Sequence, residues 1–242
     1  MRNGAILRTE GLGKRFGGVV AAAGVDFALA SGELRCIIGP NGAGKSTMFS
    51  LLCGIYRPDS GRIFLNGEDV TTLPAFRRVQ RGIGLTFQTN RAYHNLSVRQ
   101  NLDIGNRRSA QGMSSDAQNR FNQAMLAFGL DTVEPEMPAR ELPHHQLQWL
   151  EILMVLASGP ELALFDEPTA GMSPDETMQT ARALRRLNEL GLTIIVVEHD
   201  IAFVREVAEA VTVLHQGRIF AEGSVAEITA REDVRKIYLG HA

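Results

Sequence analysis

The run Gly39-Pro40-Asn41-Gly42-Ala43-Gly44-Lys45-Ser46-Thr47 fills every fixed position of the pattern G-x-x-x-x-G-K-[ST]. Nothing else in the chain restricts its fold as strongly, because this pattern needs a buried strand to deliver the loop and a helix to leave it. Both flanks are present. Leu34–Ile38 is the continuous apolar run of a strand buried on both faces, and Thr47–Cys53 reads as a helix. Glycines let backbone N–H groups wrap an anion, and the helix N-terminus adds partial positive charge. The spacing predicts a nucleotide cradle made of Gly39, Asn41, Gly42, Ala43, Gly44, Lys45, Ser46 and Thr47. Lys45 is expected to reach the β- and γ-phosphates of ATP, and the Ser46 hydroxyl to ligate Mg²⁺. A chance glycine-rich turn would not fill all these positions between such flanks.

A second apolar strand, Leu162–Phe165, ends in Asp166-Glu167. Either acid alone reads as a solvated strand end. Together, after a buried strand in a chain with a phosphate loop, they read as the Mg²⁺-side carboxylate (Asp166) and the group that polarises the attacking water (Glu167). A third apolar strand, Thr193–Val197, is followed by Glu198-His199-Asp200. A lone histidine at a strand end is more often structural, so the spacing alone leaves the role of His199 open.

Further strand-like stretches fall at Ala5–Thr9, Val25–Leu29, Arg62–Leu65, Gly84–Phe87, Ala210–His215 and Arg218–Glu222, with helical periodicity at Asp175–Glu189 and Ile201–Ala208. This alternation indicates an α/β architecture with βαβ units. Between about Leu96 and Ser158 no strand pattern appears; amphipathic patterns at Val98–Asn106, Asp116–Phe128 and Gln146–Leu156 read as a helical insertion.

The formal net charge of −2 argues against a nucleic-acid partner held by bulk electrostatics, and Arg77, Arg78 and Arg81 read as a solvated helix face. Cys36 and Cys53 lack a CxxC spacing and read as small core residues. No segment approaches the roughly 20 apolar residues that span a bilayer, and Met1–Glu10 lacks the apolar run of a secretion signal. A cytoplasmic chain that meets a membrane only through a partner is expected.

The order of these elements resembles the ATP-binding subunits of ABC transporters over nearly the whole chain. The resemblance implies a P-loop NTPase core with a mixed β-sheet plus an inserted α-helical subdomain. It divides the chain into a nucleotide-binding lobe with an N-terminal β-subdomain (1–95), the α-helical subdomain (96–158), and the rest of the core with the C-terminal tail (159–242). It also implies that Phe16 stacks on adenine, that His199 contacts the γ-phosphate, and that Gln88 in Thr86-Phe87-Gln88 joins the lobes and senses Mg²⁺. Ala170–Asp175 resembles the loop that crosses to a second ATP-binding subunit. Thr89–Asn95 is expected to border a groove that receives a coupling helix of a membrane-embedded permease.

The departure lies in the signature, where the family pattern is Leu-Ser-Gly-Gly-Gln and this chain has Leu142-Pro143-His144-His145-Gln146. Pro143 offers neither a hydroxyl nor an N–H, and two imidazoles replace residues small enough for backbone to approach a phosphate. The resemblance therefore implies an asymmetric dimer, in which this chain's loop is complete but what it offers its partner is impaired. A homodimer that tolerates the substitutions is the alternative.

Phe16-Gly17-Gly18, Gly82-Ile83-Gly84 and Tyr238-Leu239-Gly240 are similar to importers of branched-chain amino acids and amides. Gln148–Ile152, Ala170-Gly171-Met172 and Val211–Gly217 are closest to the urea-type ATP-binding subunit. Those systems imply two permease subunits and an extracytoplasmic substrate-binding protein, on the cytoplasmic face of the membrane. The nearest rival is the ATPase of a lipid or lipopolysaccharide exporter. A small-molecule kinase would not need Asp166, Glu167 and His199 together, and the heptads or second cassette of DNA-repair and translation ATPases are missing.

Overall fold

The computed structural model describes residues 4–86, 92–106 and 113–239. Its centre is a six-stranded sheet of order β10-β9-β3-β8-β7-β6, built from β3 (Leu34–Ile38), β6 (Ile83–Leu85), β7 (Leu162–Asp166), β8 (Thr193–Val197), β9 (Ala210–His215) and β10 (Arg218–Gly223). All neighbours are parallel except the β9–β10 hairpin at the edge. The sheet is thus mixed, as expected. A separate four-stranded antiparallel sheet, order β2-β1-β4-β5, is formed by β1 (Ala5–Phe16), β2 (Val19–Ala30), β4 (Ser60–Leu65) and β5 (Glu68–Asp69).

Alternate residues of the central strands feed two cores. Cys36, Ile38, Ala163, Phe165, Ile194 and Val196 face one side, while Ile37, Leu162, Leu164, Ile195 and Val197 face the other. Both faces are buried, which explains why β3, β7 and β8 are apolar at nearly every position. The second face is covered by α1 (Lys45–Cys53) and the antiparallel sheet. The first is covered by helices from the stretch between β6 and β7, and by α6 (Pro174–Glu189) and α7 (Ile201–Val207).

That stretch holds α3 (Val98–Asn106), α4 (Ser115–Phe128) and α5 (His144–Leu156). Among its described residues the only β pairing is an isolated bridge between Ser97 and Pro138. Trp149 of α5 stacks on Phe128 of α4 at 5.2 Å and donates to Thr180 Oγ1 of α6 at 2.8 Å, so the inserted helices and the core share one continuous apolar interior. Cys36 and Cys53 are free and buried.

Arg78 departs from expectation. It lies in α2 (Ala75–Val79) and is 0% exposed, so the three arginines do not form one solvated face. Its guanidinium donates to the carbonyls of Leu51 and Leu52 at 2.7 Å, of Leu73 at 3.0 Å and of Thr71 at 3.2 Å. The last turn of α1 leaves carbonyls without intrahelical partners, and a planar donor fork answers several of them at once. Two short C-terminal helices, α8 (Val225–Ala230) and α9 (Glu232–Leu239), complete the chain.

Candidate functional site

Every strand of the parallel set ends at the same edge of the sheet, the edge where open α/β sheets bind ligands. In register, Val197 of β8 pairs with Ile37 of β3 on one side and Asp166 of β7 on the other. The phosphate loop after β3, Asp166-Glu167 after β7, and Glu198-His199 after β8 are thereby brought together.

The loop Gly39–Gly44 is wedged between other backbones. A Cβ at Gly39 would lie 2.3 Å from the Leu214 carbonyl oxygen, and one at Gly44 2.4 Å from that of Ala21, where φ is +102°. Side chains are excluded at both places by contact as well as by backbone conformation. Gly217 N–H donates to Ala43 O at 2.9 Å and pins the loop to the β9–β10 turn. Gly44 caps α1 without a side-chain hydrogen bond, and no acid lies in the first turn, so the N–H groups of that turn meet no internal anion. Asn41, Gly42 and Ser46 are exposed, Gly44 and Thr47 half-buried, and Ala43 buried.

Lys45 is 8% exposed and donates to Gly39 O at 2.7 Å and Pro40 O at 3.2 Å. Burial lowers its pKa, and Glu167 and Asp166 oppose that shift. Asp166 is buried, and its carboxyl is pushed up to about 6 by burial and then by the Glu167 charge, with Lys45 opposing. A carboxylate so poorly solvated beside another acid favours a bound cation. The exposed Ser46 hydroxyl and the Asp166 carboxylate supply hard oxygen donors that suit Mg²⁺.

Glu167 has φ +48°, a left-handed conformation unusual for a residue with a side chain, and its N–H donates to Val197 O at 2.9 Å. His199 Nδ1 lies 3.9 Å from Glu167 Oε1 and 3.7 Å from Glu198 Oε2. Phe16 stands apart at the end of β1, 43% exposed. Its ring meets Tyr56 edge-on at 5.2 Å, with Lys14 Nζ 5.6 Å from its centroid. Gln88 lies outside the described residues, as do all of 87–91.

The first turn of α5 turns inward rather than offering free side chains. Its cap, Pro143, makes no side-chain hydrogen bond. His144 Nε2 lies 3.2 Å from Ala170 O, Gln148 Nε2 donates to the same oxygen at 2.9 Å, and His145 Nδ1 lies 2.7 Å from Glu176 Oε1. Sequence reasoning did not single out Thr169 or Glu198, which bond to each other beneath the site. The only available signal was an acid directly before His199.

The family model described as ABC transporter matches residues 22–170, more than half of the chain. The high-affinity branched-chain amino acid transport ATP-binding protein BraF of Pseudomonas aeruginosa is 32% identical over 251 residues, covering 98% of each chain. The lipopolysaccharide export system ATP-binding protein LptB of Escherichia coli K12 is 31% identical over 236 residues, again covering 98% of each. Ribose import ATP-binding proteins are also similar, and the chain spans about half the length of that of Rubrobacter xylanophilus, 47%. Among solved structures, the ADP conformation of an ATP-binding cassette of an ABC transporter superposes with a TM-score of 0.86 at 28% identity, covering 98% of this chain and 99% of that one.

Proposed function

This chain belongs to the ABC transporter family, and from that membership we propose that it is one half of an asymmetric ATPase dimer that drives an importer. It is an ATP-binding motor subunit that hydrolyses ATP with Mg²⁺, as ATP-binding cassettes do. The proposal concerns the roles of its residues, its partners and its cargo.

Lys45 and the N–H groups of 39–47 hold the β- and γ-phosphates, and Phe16 stacks on adenine. Ser46 and Asp166, with Gln88, hold Mg²⁺, which when bound neutralises charge on the phosphates. Glu167 accepts a proton from the attacking water as its oxygen approaches the γ-phosphorus and the bond to ADP breaks. His199 orients that water and the γ-phosphate. Catalysis is mostly positioning and electrostatics. Residues 96–158 act as a unit that carries the closing motion to the coupling helices of two permease subunits.

The observation that carries the asymmetric reading is the first turn of α5. Pro143 gives no hydroxyl, and both imidazoles are committed to Ala170 and Glu176 of the same chain. The chain's own phosphate loop keeps its full set of residues. A second, different ATP-binding subunit with an intact signature then completes this site. ATP hydrolysis measured against protein concentration, beside a Pro143→Ser, His144→Gly variant, tests this. The natural chain is expected to be nearly inactive, and the variant to gain activity that rises steeply with concentration. Equal activity in both would remove the argument for a different partner.

Urea, short-chain amides or branched-chain amino acids are the proposed cargo, delivered by an extracytoplasmic binding protein to permeases whose cytoplasmic face this chain occupies. The likeness to BraF and the segments quoted above support it. The likeness to LptB supports lipopolysaccharide export as the second reading. Uptake of labelled leucine, acetamide and urea by cells lacking this chain separates the two. Unchanged uptake of all three would favour export.

A further inference from the structure

We propose that Glu198 is a positioning residue for hydrolysis, a buried carboxylate that ties the turn after Glu167 to the backbone of His199. This rests on the roles given above to Glu167 and His199.

Glu198 is 1% exposed, although it sits one residue from a largely exposed histidine. Its Oε1 accepts from Thr169 Oγ1 at 2.6 Å and, more weakly, from Thr169 N–H at 3.4 Å. Its Oε2 accepts from His199 N–H at 3.1 Å and lies 3.7 Å from His199 Nδ1. The residue's own N–H donates to Ile37 O at 3.3 Å, on the strand that delivers the phosphate loop. One side chain therefore joins two catalytic loops, and its backbone joins them to a third.

Burying a carboxylate is costly unless its oxygens are well partnered. A serine or threonine could cap β8 at far lower cost, and among the described residues no lysine or arginine pairs with Glu198. What the carboxylate gains is geometry. Thr169 is the first residue after Pro168 in the turn that begins at Glu167, whose carbonyl accepts from Ala170 N–H at 3.2 Å. Thr169 also leads directly into Ala170, whose oxygen meets His144 and Gln148 of α5. Glu198 thus fixes the spacing between Glu167 and His199 and links that spacing to the loop that runs toward a partner subunit.

The chemistry of the two oxygens supplies a selective probe. In Glu198→Gln the amide oxygen can still accept from Thr169, but its NH₂ faces the His199 N–H as donor against donor. Thr169→Val removes the hydroxyl at nearly constant volume, and Thr169→Ser restores it.

The test is single-turnover hydrolysis of labelled ATP with the full chain in excess, together with ATP affinity by equilibrium dialysis. Glu198→Gln and Thr169→Val are expected to slow the turnover at least tenfold while affinity stays within about twofold. Thr169→Ser is expected to recover most of the natural rate. A merely structural role would lower affinity and thermal midpoint together with the rate, and that result overturns the proposal. Glu167→Gln run alongside distinguishes the two levels. If it hydrolyses ATP normally, the reading of the whole site fails. If it is inactive while Glu198→Gln and Thr169→Val turn over at the natural rate, only the clamp is overturned. Should Glu198→Gln not fold, the Thr169→Val and Thr169→Ser pair decides alone.

Discussion

His145 Nδ1 and Glu176 Oε1 are 2.7 Å apart, which joins the first turn of α5 to the first turn of α6 within one chain. Glu176 is already the second half of a capping box with Ser173. The pair therefore couples the altered signature to the loop at 170–173. The Ser173 N–H and hydroxyl hold the Glu176 carboxyl below its ordinary value, and His145 and His144 add to the effect.

A carboxyl depressed in this way contributes stability above its unfolded value of 4.5 and loses it as pH falls through the lower folded value. Glu176→Gln can still cap α6 but does not titrate. Its thermal midpoint is expected to fall less steeply than the natural chain's between about pH 5 and pH 3. Parallel curves would mean that the capping carboxyl contributes nothing to acid unfolding.

Glu167→Gln is expected to leave ATP affinity intact and to lower turnover by about 100-fold or more. Lys45→Ala is expected to act on affinity itself, because its ammonium is the buried cation of the cradle. Binding measured separately from hydrolysis checks both. Normal turnover in the first variant, or unchanged affinity in the second, would remove that residue from its role.

Asp166 titrates at about 6 in the folded chain against an ordinary 3.8. A raised carboxyl costs nothing below the unfolded value; the cost grows across that interval and is complete above the folded value. Without Mg²⁺, Asp166→Asn is expected to stabilise the chain at neutral pH by about 2 kcal/mol, after allowance for screening at the mouth of the site. It is also expected to abolish Mg²⁺-dependent hydrolysis. Calorimetry at neutral pH and near pH 4 is the check; an equal gain at both would exclude the ionised carboxylate as the cause.

Arg78→Met keeps apolar volume in α2 but strands the carbonyls of Leu51, Leu52, Leu73 and Thr71 in a buried place. A loss of about 3 kcal/mol or more is expected, read as a shift in denaturant midpoint without a change in slope. A loss within about 0.5 kcal/mol would mean that water replaces the guanidinium.

The central strands were legible because burial on both faces leaves long apolar runs, as in β3, β7 and β8, and the phosphate loop was legible because its glycines answer to contacts with Leu214 and Ala21. The antiparallel sheet was less so. β1 runs on to Phe16, well past the expected Thr9, because register shifts around Gly11 and Gly13 let an irregular sequence keep pairing with β2 and β4. The buried fate of Arg78 left no trace in its neighbours, since its partners are carbonyl oxygens that every residue carries. Glu198 was hidden for a similar reason: one acid among three polar residues shows its burial only when Thr169 is seen beside it.

Arg78 also changes what α1 is electrically. A helix of nine residues has a negative pole at its far end that partly cancels the attraction of its near end for an anion. Here a guanidinium, its pKa lowered by burial to about 10 and so still charged at neutral pH, rests on that far pole. The opposing field is discharged inside the protein, away from salt and solvent. What remains at the phosphate loop is a helix with one effective pole, so its pull on the nucleotide is less open to screening than a bare helix end would be.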